Sequence, residues 1–401
     1  MKKTALVITA IFAALALSGC NRGSESSASE ARTTADPFSY TRPVEIVTQT
    51  QQTTAATTTI TAEEFDILDP ALEFDYSVVK GEVTINEHLL DNAVSVIVPD
   101  EIEGCPVTVI GKYAFQESDV NSVRLPDSIK EIREGAFMDC YDLRMINLPD
   151  GITFIGASAF ENCSDLKMLT LPASLERIEK RTFCYCYDLR DVEIGENVKK
   201  ISDEAFMDCT SLHSIVIPQR VSDIGEKAFN GCDELAEVVI EGATKIREEA
   251  FSDCAALTSL SLPDTLQKIE KLAFANCTSL TEVTVPDSVD DMEGEVFKMC
   301  TSLQRAKLSE QVLIVPYETF HRCSALTEVV ISSRTVAIGD SAFEYCGELT
   351  TIELPETLER IGKYAFCACH KLNTVLPASL TTVGRSAFKN CYLMPEAADR
   401  W

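Results

Sequence analysis

The sequence predicts an α/β repeat fold: a solenoid of stacked coils with short parallel strands on one face and short helical or 3-10 segments on the other. Three observations carry that prediction. Phenylalanines recur from Phe115 through Phe137, Phe160 and Phe183 to Phe388, at a spacing of 23 residues and occasionally 22. A cysteine stands three residues after each of them except the first, from Cys140 to Cys391, and a leucine follows three further on, as in Leu166, Leu189 and Leu280. Between these marks runs a short alternation of apolar and polar residues stopped by a proline, as at Leu260, Leu262 and Pro263. Self-similarity at a fixed period of about 20 to 50 residues marks units that stack in one dimension.

Composition narrows the function classes. The chain has 401 residues, 45% of them hydrophobic, enough to bury a core. Lys+Arg 35 against Asp+Glu 63 gives a net charge of -28. Such a surface repels nucleic-acid phosphates and anionic lipid, so no nucleic-acid partner is expected. Four histidines and one tryptophan supply little for a His-based metal site or an aromatic stacking platform.

The chain opens Met1-Lys2-Lys3, runs apolar from Ala5 to Leu17, and closes that run at Leu17-Ser18-Gly19-Cys20. A basic start and a short apolar stretch read as a signal peptide over residues 1–19, too short to remain as a spanning helix. Leu17-Ser18-Gly19-Cys20 resembles the bacterial lipobox. That resemblance implies that Cys20 receives a lipid, becomes the new N-terminus and anchors the protein to a membrane outside the cytoplasm. Residues 20–62 follow as a linker, with 16 Ser or Thr in 21–62 and few large apolar side chains. Such a segment cannot bury enough surface to offset chain entropy, and as a flexible coil it spans roughly 35 Å.

One coil reads Leu257-Thr-Ser-Leu260-Ser-Leu262-Pro263, then Leu266, Ile269, Ala273, Phe274 and Cys277. Leu260 to Leu262 alternates as a strand with one face inward, and Pro263 ends its ladder. The spacing of Ala273, Phe274 and Cys277 predicts a return segment of helical or 3-10 pitch. A single coil has an apolar face and nothing to cover it. Thirteen stacked coils bury each such face against the next and extend about 60 Å at a rise of about 4.8 Å.

Leu-x-x-Leu-x-Leu-Pro followed by Ile and Ala-Phe-x-x-Cys at this period resembles the BspA-type leucine-rich repeat family of bacterial and protist surface proteins, over about residues 74–394. The stretches Phe74 to Ile85 and Ile102 to Phe115 are similar to the entry unit of such arrays, which marks 63–111 as an N-terminal cap, 112–394 as the repeat solenoid and 395–401 as a tail. The resemblance implies a right-handed leucine-rich-repeat solenoid and, for some members, adhesion to host proteins or other cells. Departures are Thr182, Val296 and Thr319 in place of alanine, Ser118 in place of the first cysteine, and Leu393-Met394-Pro395 in the last unit. The last of these predicts a weakly capped C-terminal end.

Sixteen cysteines in an exported chain suggest disulfides. Twelve, however, occupy one repeat position and would form a column inside the stack, where a small soft side chain packs well. Removing Cys20 leaves fifteen, an odd number. Free structural thiols are therefore expected, in a reducing or oxygen-poor setting. Cys184 and Cys367 add a second cysteine to two coils, eight coils apart. They cannot share one ion and read as partly exposed variants, so neither metal nor cofactor is expected.

His88, His213, His321 and His370 stand in different units with no catalytic or phosphate-binding motif, so the chain reads as non-enzymatic. A solenoid lays its outward strand positions side by side as a broad rigid face. The first outward column contains Met145, Met168, Asp191, Glu237, Glu282, Arg305 and Glu328; the second contains Val216, Val239 and Val330. These residues lack the aromatic steps that stack sugars, which favours a large, shallow protein ligand on a host or neighbouring cell. A self-associating envelope component or spacer, joined weakly through the C-terminal end near Tyr392, is the alternative. A carbohydrate-binding accessory is weaker.

Overall fold

A computed structural model describes residues 73–90 and 93–394. The signal peptide, Cys20, the linker and the tail lie outside the described residues. Phe74–Val79 and Glu82–His88 form an antiparallel hairpin. Lys80 and Gly81 turn it with φ of 55° and 79°, the left-handed pair that a two-residue hairpin turn requires. Its inner strand pairs in parallel with Cys105–Ile110, which leads into the stack.

Most coils contribute two short strands, where the sequence pattern predicts one. A first ladder runs from Ser95–Ile97 through Ser122–Arg124, Met168–Thr170, Ser214–Ile217 and Glu237–Ile240 to Thr351–Ile352, in four hydrogen-bonded sheets. A second runs from Cys105–Ile110 through Glu131–Ile132, Asp223–Ile224 and Lys268–Ile269 to Thr382–Val383. Pairing is parallel and joins equivalent repeat positions: Ser214 to Glu237, Ile215 to Val238, Val216 to Val239, Ile217 to Ile240. This register follows from the pattern, because a slip by one residue would turn every apolar side chain to water.

The core is a set of columns. Phe115 to Phe388 form one unbroken aromatic stack, each ring 4.8 to 5.8 Å from the next and inclined by 3° to 21°. All are buried, as are the columns headed by Leu143, Ile132 and Cys140, except that Val383 at the end of the Ile132 column is half-buried. At the N-terminal end His88 stacks on Phe115 at 5.1 Å, with Phe74 packed edge-on to Phe115.

The helical or 3-10 face is not formed, so among the described residues the repeat is all-β with turns. Each return segment places two residues in the left-handed region four positions apart, as at Ser158 and Asn162 (φ 55° and 61°) or Leu272 and Asn276 (both 59°). A right-handed helical run cannot contain them. Backbone groups alternate instead: Glu161 N–H donates to Ser158 O within its coil at 3.2 Å, while Phe160 N–H donates to Thr182 O of the next coil at 2.9 Å. The physical reason is width. A helix with its side chains is about 10 Å across, whereas stacked strands are about 4.8 Å apart, and turns keep the third side as thin as the other two.

Candidate functional site

Parallel register decides which candidate residues meet. Met168 lies beside Asp191, Val216 beside Val239, and Glu282, Arg305 and Glu328 follow one another in a single column. Met145, Asp191, Glu237, Glu282 and Arg305 are exposed, and Met168 and Val216 are 65% and 51% accessible. Val239, Val330 and Glu328 are only half-buried, contrary to the expectation of a fully exposed set. Register partners flank each one rung away, Val216 and Ser261 for Val239, Lys307 for Val330, and shield part of a short side chain. The Arg305 guanidinium pairs with Glu282, so the column neutralises part of its own charge.

The cysteine column has a role that the pattern did not reveal. Every one of its twelve thiols donates to the carbonyl of the phenylalanine in the preceding coil, from Cys140 to Phe115 O at 2.9 Å to Cys391 to Phe366 O at 3.0 Å. The same carbonyl also accepts the backbone N–H of its own coil's cysteine, as Phe137 O does from Cys140. The thiol therefore satisfies the second lone pair inside a dry core. All fifteen described cysteines are free. Burial pushes the Cys140 and Cys391 thiols up to about 12 and Cys232 well above its ordinary value, so they stay protonated and unreactive. Cys184 and Cys367 are buried, not partly exposed, and burial pushes Cys184 up to about 12 as well.

The histidines stay apart. His213 Nδ1 lies 2.6 Å from Ser211 O, and His321 Nε2 accepts Arg322 Nε–H at 3.1 Å while burial lowers its proton affinity. No group of three or more His, Cys, Asp or Glu among the described residues could hold a metal ion.

A charged stripe along the second ladder escaped the sequence reading. Arg247 Nε and Nη2 each donate to an Asp223 carboxylate oxygen at 2.8 Å, and Lys200 lies 3.5 Å from that carboxylate. Lys268 reaches Asp291 at 2.8 Å and Glu293 at 2.9 Å, and these two carboxylates push its ammonium pKa up. The available signal was alternation of sign one repeat apart, in Lys200, Asp223 and Lys245.

Residues 108–236, 244–373 and 336–396 match the BspA type leucine rich repeat region, in 6 copies. The chain belongs to the BspA-type leucine-rich repeat family. As a BspA-type repeat it is similar to a solved leucine-rich repeat protein of Bacteroides ovatus ATCC 8483, at 27% identity over 80% of this chain and 92% of that one, with a TM-score of 0.56. It is also similar to a leucine rich cell surface protein of Faecalibacterium prausnitzii A2-165, at 24% identity over 76% of this chain and 93% of that one, with a TM-score of 0.48. No curated protein matches the chain.

Proposed function

We propose that this BspA-type repeat protein is a non-enzymatic, lipid-anchored component of the bacterial cell surface whose first strand ladder binds a protein on a host or neighbouring cell. One observation carries the reading: the ladder pairs exposed Met168 with exposed Asp191 in register and holds Met145, Val216 and Glu237 exposed on its other strands. A rigid face loses little entropy on docking, and exposed methionines and valine beside carboxylates give a partner both apolar contact and charge to read. The described residues contain no helix long and apolar enough to cross a membrane, so in this reading attachment falls to Cys20.

The test uses beads carrying the chain and intact candidate cells. Saturable capture should fall about tenfold or more with Met168→Lys combined with Val216→Lys, the loss expected when central apolar contacts go. Unchanged capture by a correctly folded variant overturns the strand face. Labelled palmitate should enter the wild type and not Cys20→Ser; no label in the wild type removes the anchor. Self-association is favoured by a separate observation, charge at the two ends of the stack.

A further inference from the structure

The ends of the stack carry opposite charge. From Arg360 to Met394 the chain has the cations Arg360, Lys363, Lys371, Arg385 and Lys389 and no Asp or Glu, in a protein of net charge -28. Lys371 pairs with Glu348 at 2.6 Å, while Arg360, Lys363, Arg385 and Lys389 form no ion pair among the described residues. The other end is acidic. Glu73, Asp75, Glu87, Glu101 and Glu103 surround its outer strands, Glu82 is paired with Lys130 at 2.6 Å, and Lys80 is the sole lysine or arginine between residues 73 and 111.

Both ends also expose apolar side chains. Val79, Val94 and Ile97 lie open at the acidic end, Tyr392, Leu393 and Val375 at the basic end, Val375 with 85% of its surface accessible. The exposure of Val375 has a cause in the chain. The preceding coil reads Leu349-Thr-Thr-Ile352-Glu-Leu354-Pro355, whereas here Leu372-Asn-Thr-Val375-Leu376-Pro377 is one residue shorter. Losing one residue reverses side-chain alternation, so Val375 faces water while Ile352 at the same step is buried. The ladder stops there, with the Thr374 hydroxyl donating to Ile352 O at 2.6 Å. Among the described residues, Phe74–Val79 and Ser95–Ile97 are then open strand edges at one end, and Thr382–Val383 is open at the other. An open edge is a template for another strand.

We infer that a second copy of this chain docks head to tail, its acidic N-terminal end on the basic C-terminal end. Both ends of the second ladder are open edges, the hairpin strand Phe74–Val79 at one and Thr382–Val383 at the other, and because the hairpin strand runs against the stack the two would meet as an antiparallel pair. A two-fold contact between like ends would instead set cation against cation or carboxylate against carboxylate. A head-to-tail contact repeats from copy to copy and builds an open rod where its rotation does not close a ring.

Sedimentation velocity on the full chain tests this. The wild type should show larger species that grow with concentration at low salt and shrink at about 0.5 M salt, where screening is within a few ångströms. Lys363→Glu, Arg385→Glu and Lys389→Glu together leave both ends acidic; Asp75→Lys, Glu87→Lys, Glu101→Lys and Glu103→Lys together make the N-terminal end basic like the other. Each variant alone should lose the larger species, and an equimolar mixture should regain them. A monomeric wild type at every concentration, variants that associate like the wild type, or a mixture that stays monomeric overturns the inference. Met168→Lys with Val216→Lys should leave association unchanged, which separates this result from failure of the partner-binding reading.

Discussion

At the scale of single residues, the cysteine column is the clearest case of chemistry dictated by position. An alanine would fit the space less fully and donate nothing; serine would donate but carry more polarity into a dry site. The thiol suits both demands, and it couples folding to alkaline pH. An unfolded cysteine titrates near about 8.5, whereas burial holds Cys140 and Cys391 up to about 12. The folded chain thus keeps protons that the unfolded chain releases. Its stabilisation is complete below about pH 8.5 and is lost as pH rises towards about 12, by up to about 1.4 kcal/mol per pH unit for each such thiol. Urea midpoints should stay level from about pH 6 to 8, fall steeply between about 9 and 11, and fall less steeply in Cys140→Ala with Cys391→Ala. An unchanged midpoint at about pH 10.5 would contradict the titration argument. The column itself was legible from its spacing. Its hydrogen bonds were not, because the acceptor lies one coil back and only the stacked backbone sets that distance.

At the scale of the element, the return segment shows how a spacing can mislead. Ala, Phe and Cys at three- and four-residue intervals fit a helical pitch, and over so short a run they fit a series of tight turns equally well. A better signal was present. Asp139, Asn162, Asp208, Asp253, Asn276 and Asn390 each stand immediately before the column cysteine, and these two residue types tolerate left-handed backbone best after glycine. Other side chains at such positions store strain of about 1 kcal/mol. Ser341, at φ 54°, should therefore gain up to about 1 kcal/mol on Ser341→Gly, raising the thermal midpoint by roughly 2 °C. Gly231 at φ 71° should respond the opposite way. A β-branched residue is strained at that positive φ, and its Cβ would also displace the Asp208 carboxylate, so Gly231→Val should lower the midpoint. Thermal scans by circular dichroism read both; a lower midpoint for the Ser341 variant would refute the strain assignment.

Across the whole molecule, stability is a sum over neighbouring coils, since no coil has an interior of its own. Phe229 touches Phe206 at 5.2 Å and Phe251 at 5.1 Å, whereas among the described residues Phe388 in the last coil stacks only on Phe366, at 5.4 Å. Phe229→Ala should cost about 3 to 5 kcal/mol and Phe388→Ala distinctly less, because the central ring loses partners on both sides and leaves a cavity that cannot collapse. Equal losses in urea denaturation would show that the stack does not transmit stability along its length. The same one-dimensional build leaves the ends as the places where charge and edge groups remain unspent, which is where the docking of a second copy belongs.

The sequence alone determined the family, the stacking period, the buried Phe, Leu, Ile and Cys columns and the outward positions of Met168 and Val216, because a strict repeat forces equivalent residues into equivalent surroundings. Tertiary structure decided the second strand ladder, the turns in place of helices, the partial shielding of Val239 and Val330, the thiol-to-carbonyl bonds and the ion pairs along the second ladder. All of these depend on the distance between one coil and the next, a quantity set by backbone hydrogen bonding across the stack and carried by no single repeat.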